Sequence, residues 1–281
     1  MHCMNYIEVE LNLSPFNPWN EVFVAYLSEM EFESFQEEKP ILRAYISEVN
    51  FDGRAFNELI QELNSSEEIV FSHQINRIPQ QNWNAVWESQ FEPVFIDDKL
   101  QIIAPFHQKN EFTGETIIIE PKMSFGTGHH QTTYLMCKSM FDLNFNDKVV
   151  LDMGSGTGIL AILAEKLGSK AIKAFDIEPW SVENCAENAQ KNNCSKITSL
   201  LGDIDQVDEV YDIILANINK NVLKNQLPYY SKLIKSNGNL LLSGFFTSDD
   251  NEIKKCAEEN SFEFQISKNN EGWSMLQFYK I

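Results

Sequence analysis

Residues 148–168 read Lys-Val-Val-Leu-Asp-Met-Gly-Ser-Gly-Thr-Gly-Ile-Leu-Ala-Ile-Leu-Ala-Glu-Lys-Leu-Gly, and this stretch constrains the fold more than any other. Val149, Val150 and Leu151 form a short apolar, β-rich run, the mark of a parallel strand buried on both faces. The run meets Asp152 and passes into Gly154, Gly156 and Gly158. Ile159, Leu160, Ile162, Leu163, Ala164 and Leu167 then predict a helix with one wide apolar face. Strand, glycine turn and helix N-terminus follow without a spacer. Such a turn lets backbone approach a ligand closely and aims unpaired N–H groups at it.

The same alternation continues downstream. Residues 170–176 predict a second strand, 181–192 a helix, 197–201 a strand running into Gly202–Asp203, and 211–216 a buried strand delivering Asn217-Ile-Asn219. A helix over 221–235, a strand over 239–244, a helix over 249–259 and late strands at 262–267 and 273–280 complete the pattern. Strands alternating with helices give a Rossmann-like, doubly wound parallel sheet, an α/β fold whose ligands bind beyond the strand carboxyl ends. Asp152, Gly154, Asp176, Asp203 and Asn217 all fall there.

Upstream the pattern differs. Ile7, Val9, Leu11 and Leu13 alternate on one face of a half-buried strand over 6–13. Residues 17–29 place Val22, Phe23, Tyr26 and Leu27 at helical spacing, with Asn17 as a cap before Pro18. Strands over 32–37 and 41–49, a helix capped by Asp52 and bearing Phe56, Leu59, Ile60 and Leu63, and a strand over 69–78 follow. The order β-α-β-β-α-β is the ferredoxin-like split unit. The expected organisation is a small ferredoxin-like α+β substrate-docking domain over 1–78, a linker helix over 79–93 and the doubly wound domain over 94–281. In the linker, Trp83, Trp87 and Phe91 share one helical face. A hairpin around Asp97–Asp98 and a strand over 116–120 lead to a polar loop, Met-Ser-Phe-Gly-Thr-Gly-His-His-Gln-Thr-Thr, over 123–133. Thr132 and Thr133 sit where hydroxyls cap the next helix, 134–141, or reach a ligand.

The net charge is −19, and residues 1–80 carry fourteen acids against four bases. That balance argues against a nucleic-acid surface, which needs clustered Lys and Arg, and favours a basic partner. No apolar run of about 18 residues spans a membrane, and the first residues lack the pattern of a signal peptide. Five scattered cysteines without a C-x-x-C pair fit reduced thiols in the cytoplasm, and His129 and His130 are not at metal-ligand spacing, so no metal is expected.

A nicotinamide dinucleotide would call for G-x-G-x-x-G, whereas Gly154, Gly156 and Gly158 give G-x-G-x-G. The spacing, with Asp152 just before it, suits S-adenosylmethionine better. Asp152 and the turn, Gly154 and Gly156 included, would take the methionine end and Asp203 the adenine amino group. Asp176, 22 residues beyond Gly154, would take the ribose diol. No pyrophosphate needs neutralising, and nothing basic lies at the turn.

The loop over 123–133, the turn, Asp176-Ile-Glu-Pro179, Ala216-Asn217-Ile218 and the Trp-x-x-x-Trp connector together resemble the ribosomal protein L11 lysine methyltransferase (PrmA) family. The resemblance implies methyl transfer from S-adenosylmethionine to lysine side-chain and α-amino nitrogens of that ribosomal protein, held by the N-terminal domain. It implies Thr133, Gly154, Asp176 and Asn217 as donor-binding residues. Gln131, Ser155 and Glu178 stand where the family has proline, cysteine and aspartate. Asn217 is expected to hold the amine in line with the methyl group, while an apolar acceptor site lowers the lysine pKa. A cytoplasmic monomer acting on a basic ribosomal protein, without membrane or nucleic acid, is the expectation. A methyltransferase of small molecules, or a donor-binding sensor, is the alternative.

Overall fold

The computed structural model describes residues 5–65, 69–79, 91–108, 111–122 and 124–281. The chain divides into two units, residues 1–90 and 91–281. Most of the connector, with Trp83 and Trp87, lies outside the described residues.

The first unit runs β1 (Tyr6–Ser14), α1 (Trp19–Glu29), β2 (Ser34–Glu38), β3 (Ile41–Ser47), α2 (Gly53–Asn64) and β4 (Val70–Ile78). Its sheet is antiparallel in the order β2-β3-β1-β4, the ferredoxin-like arrangement. The alternation along β1 buries Ile7, Val9, Leu11 and Leu13 against Phe23 and Leu27 of α1 and Phe56, Ile60 and Leu63 of α2. Asp52 caps α2, accepting from the amides of Arg54 and Ala55 at 2.9 and 3.1 Å. Asn17 does not cap α1. The carbonyls of Phe16 and Pro18 take the amides of Asn20, Glu21 and Val22 instead, so Pro18 holds the cap position without a side-chain bond.

The second unit opens with a three-stranded sheet, β5 (Val94–Ile96), β6 (Leu100–Ile103) and β7 (Glu115–Ile118). There follow α3 (Gln131–Met140), β8 (Val149–Met153), α4 (Ile159–Lys166), β9 (Ala171–Asp176), α5 (Pro179–Lys191), β10 (Ile197–Leu201), β11 (Tyr211–Asn217), α6 (Lys220–Leu233), β12 (Ile234–Phe246), α7 (Asp250–Glu259), β13 (Phe262–Asn270) and β14 (Trp273–Lys280). Seven strands form one sheet in the order β10-β9-β8-β11-β12-β14-β13. β8 to β12 are parallel, and β14 inserts antiparallel between β12 and β13. One face packs on α3, α4 and α5 through Leu135, Met136, Leu160, Leu163 and Cys185; the other packs on α6 and α7 through Leu223, Leu227, Tyr230, Ile253 and Ala257. The strand order reverses at β8, whose neighbours are β9 and β11. The carboxyl ends of these strands therefore diverge around a crevice.

Thr132 and Thr133 do not cap α3. His130 does, its Nδ1 accepting from the Thr132 amide at 3.2 Å, and both threonines are buried in the first helical turn. The imidazole reaches the amide two residues on and also contacts the Thr132 hydroxyl, with Nδ1 2.8 Å from Oγ1.

Candidate active site

The glycine turn is clamped to the tip of β9. The amides of Gly154 and Ser155 donate to the Phe175 carbonyl at 2.9 Å each, and the Gly156 amide donates to Asp176 Oδ2 at 2.8 Å. Asp176 Oδ1 accepts from the Glu178 amide at 3.0 Å, which fixes both carboxylate oxygens while leaving each a free lone pair. Gly154 and Gly156 have φ of 76° and 53°. A Cβ on Gly154 would lie 2.2 Å from Ile218 Cγ2, and one on Gly156 2.2 Å from the Phe125 carbonyl oxygen. Close approach, as well as conformation, therefore demands glycine at both positions. The polar loop is sewn to the same turn: the Thr157 amide and hydroxyl donate to the carbonyls of Phe125 and Gly126 at 2.9 and 2.6 Å. These bonds hold the Phe125 ring, half exposed, at the edge of the crevice.

The crevice is a cavity of about 460 Å3. Met153, Gly154 and Gly156 form its floor, and Phe125, Ile177, Trp180, Ile218 and Val222 its apolar walls. The charged residues lining it, Asp176, Glu178 and Asp203, are all acidic. Asp203 Oδ1 accepts from the Ile204 amide at 2.6 Å and from Gln226 Nε2 at 2.7 Å. A second cavity of about 270 Å3 adjoins the first and shares Phe125, Asn217 and Ile218 with it. It is lined further by His130, Thr132, Asn219, Gly244 and Trp273, with no carboxylate and no lysine or arginine. Its aromatic wall is continuous. His130 lies edge-to-face with Phe125 and Trp273 at 5.1 and 4.6 Å between ring centres, and Trp273 stands 4.1 Å from Phe246. Burial lowers the pKa of His130, favouring the neutral ring, and the Thr132 amide on Nδ1 places its proton on Nε2.

The structure thus brings Gly154, Gly156, Asp176, Asp203 and Asn217 to one cavity and sets Thr133 and Asp152 behind it. Thr133 is fully buried, its Oγ1 accepting from Asn217 Nδ2 at 3.4 Å. Asn217 Oδ1 is buried and takes no hydrogen bond from the described residues. Asp152 is inaccessible. Its Oδ2 accepts from the Ala161 amide at 3.1 Å, and burial, with Asp176 adding repulsion, pushes its carboxyl up to about 7. Ile177, Trp180, Val222, Gln226 and Trp273 also line the two cavities and carry no signal of it in the sequence. The first three are apolar residues that a period-based reading assigns to the core, and Trp273 reaches the site only through the register pairing it with Phe246.

The strand order, the glycine turn and the acid at the tip of β9 define a class I S-adenosylmethionine-dependent methyltransferase. The cavity fits that donor. Three acids suit a sulfonium cation and repel a pyrophosphate, and the glycines let the turn that lines the cavity pack against Ile218 and Phe125 where a Cβ would clash.

Comparison with known proteins narrows the class. Residues 20–280 match the family model described as ribosomal protein L11 methyltransferase (PrmA). Among curated relatives, the ribosomal protein L11 methyltransferase of Porphyromonas gingivalis is 38% identical over 92% of this chain and 90% of its own. That of Phocaeicola vulgatus is 35% identical over 98% and 99%. A crystal structure of ribosomal protein L11 methylase from Lactobacillus delbrueckii subsp. bulgaricus superposes with a TM-score of 0.63 at 29% identity, covering 68% of this chain and all of that one. The chain belongs to the ribosomal protein L11 methyltransferase family.

Proposed function

We propose that this chain transfers methyl groups from S-adenosylmethionine to lysine side-chain nitrogens, and to the α-amino group, of ribosomal protein L11. The observation that carries the reading is the pair of joined cavities, one acidic and nucleoside-sized, the other aromatic, sharing Phe125, Asn217 and Ile218. When bound, the donor supplies a methyl group already activated on a sulfonium, so the protein's work is alignment and management of the acceptor's proton.

Asp176 accepts the ribose hydroxyls and Asp203 the adenine amino group, while Phe125, Ile177 and Trp180 cover the apolar surface. The glycine turn shapes the methionine end, with Asp152 acting from behind through the Ala161 amide. Lysine, with a pKa near 10.4, is neutral in roughly one molecule in a few thousand at pH 7. The aromatic cavity holds the aliphatic stem and withholds water from the ammonium, which lowers that pKa and yields the nucleophile. His130, neutral with its proton on Nε2, contributes a wall rather than a base. The orphaned Asn217 Oδ1, at the junction of the cavities, accepts from the amine and aims its lone pair at the methyl group. A buried carbonyl left unpaired costs about 1–3 kcal/mol, which a ligand N–H recovers.

The first unit is the docking module. Its acidity, net −10 over residues 1–80, is complementary to a basic ribosomal protein and carries no acceptor chemistry of its own. The free thiols of Cys137, Cys185, Cys194 and Cys256 accord with a cytoplasmic enzyme. The test is Asn217→Ala: turnover is expected to fall by about 10²-fold or more, in the range of a lost positioning contact. If turnover and donor affinity both stay intact, the assignment is refuted.

A further inference from the structure

Behind the wall of the larger cavity runs a short chain of hydrogen bonds that the reaction itself does not require. Tyr230, fully buried on α6, donates its hydroxyl to Gln226 Oε1 at 2.5 Å. Gln226, one helical turn earlier and almost wholly buried, donates Nε2 to Asp203 Oδ1 at 2.7 Å. The same Oδ1 accepts from the Ile204 amide at 2.6 Å. Gln226 and Asp203 both line the cavity; Tyr230 does not.

The direction of every bond in this chain is fixed. Burial, reinforced by the charges of Asp203 and Asp152, holds the Tyr230 phenol well above its ordinary pKa, so it stays a donor. A donor on one side and a carboxylate on the other leave the Gln226 amide one favourable orientation, because the flipped amide would set Oε1 against Asp203 Oδ1. Two donors then saturate the lone pairs of Oδ1. Asp203 is left with one oxygen, Oδ2, that takes no hydrogen bond from the described residues and is free for a ligand. A carboxylate can only accept, and one pinned in this way also keeps a fixed orientation.

We propose that Gln226, oriented by Tyr230, is a positioning residue that makes the donor site specific for a 6-aminopurine: it locks the orientation of the Asp203 carboxylate, an acceptor-only group that welcomes an amino group and rejects a 6-oxo group. The inference rests on the reading of this cavity as the S-adenosylmethionine site. A 6-oxopurine presents an oxygen to Asp203 Oδ2, and a pinned carboxylate cannot swing aside to relieve the repulsion. Freed from Gln226, the carboxylate rotates and the discrimination relaxes.

The test is calorimetric titration of the full chain with S-adenosylhomocysteine and its deaminated analogue S-inosylhomocysteine, for wild type, Tyr230→Phe and Gln226→Met. Wild type is expected to prefer the amino ligand by about 10³-fold or more, since a site built to hydrogen-bond one group rejects the analogue lacking it strongly. Each variant is expected to lose about 10-fold or more of that preference. A merely structural role would weaken both ligands alike and leave the ratio unchanged, which overturns the proposal. Tyr230→Phe removes one oxygen only, and a thermal melt without ligand shows that the variant is folded. Should wild type bind neither ligand, the donor-site reading falls and the relay with it. Binding with an unaltered ratio sinks the relay alone.

Discussion

Replacing Asp176 by asparagine probes the donor site at the residue that ties it together. The carboxylate accepts from the amides of Gly156 and Glu178 at 2.8 and 3.0 Å, and its remaining lone pairs are the proposed acceptors for the two ribose hydroxyls. Hydrogen bonds to a charged acceptor are worth about 1.5–3 kcal/mol each. Asparagine keeps one oxygen and turns an NH2 toward the other pair of donors, so at most one neutral bond of about 1 kcal/mol to the ribose survives. The net loss is about 2–5 kcal/mol, or roughly 30- to 3,000-fold in donor affinity at 1.4 kcal/mol per decade. Titration calorimetry with S-adenosylhomocysteine reads it directly. An analogue lacking both ribose hydroxyls separates the ribose bonds from any loosening of the turn. Wild type should lose most of its affinity for that analogue, while Asp176→Asn should distinguish it from the parent ligand by about 5-fold at most. If wild type and variant are penalised equally by removal of the hydroxyls, Asp176 does not bind the ribose and the reasoning fails.

Two further perturbations act on other parts of the site. Trp273→Leu removes the aromatic wall next to His130 and Phe246 and should lower kcat/KM for the protein substrate by about 10- to 100-fold, the scale of lost aromatic and cation–π contacts. S-adenosylhomocysteine affinity should stay within about 2-fold, because Trp273 does not line the larger cavity; equal losses in both would place it in the donor site instead. Asp152 gives a pH dependence of stability. Its carboxyl is raised from 3.8 to about 7, so between those values the native state keeps a proton that the unfolded chain has released. Stability therefore falls as pH rises through that window and levels off above it, by an amount on the order of 4 kcal/mol. Asp152→Asn removes the titration and keeps an oxygen for the Ala161 amide. The loss of Tm between pH 5 and pH 8 should be smaller in the variant; identical losses would show that Asp152 does not titrate there.

What the sequence disclosed depended on how local the physics was. The glycine turn was legible because the left-handed backbone at Gly154 and Gly156, with φ of 76° and 53°, is one that glycine adopts readily and other residues rarely do. Asp176, Asp203 and Asn217 were legible because parallel strands bring their carboxyl ends together whatever the details of packing. The β-α-β-β-α-β unit was legible through alternation in β1 and helical spacing in α1 and α2, both one-residue-at-a-time signals. Asp152 lies behind the cavity lining because the strand runs on to Met153: successive side chains alternate, so Met153 lines the cavity and Asp152 turns toward α4. The cap of α3 went to His130 rather than a threonine through a contact of imidazole and amide that composition does not reveal. Trp180, Val222 and Trp273 were hidden for a further reason. An apolar residue at a cavity wall obeys the same periodicity as one in the core, and only the assembled sheet separates the two.

The central claim, that this chain methylates ribosomal protein L11, is tested most directly by the intact mass of purified L11 after incubation with the enzyme and S-adenosylmethionine. Residues 91–281, which hold both cavities and their own core, serve as a parallel sample. Whole methyl increments are expected on L11 with the full chain, mapping to lysine side chains and the N-terminus. Little or no increment is expected with residues 91–281, which should still bind S-adenosylhomocysteine. L11 of unchanged mass, from a full chain shown by calorimetry to bind the donor, would contradict the claim.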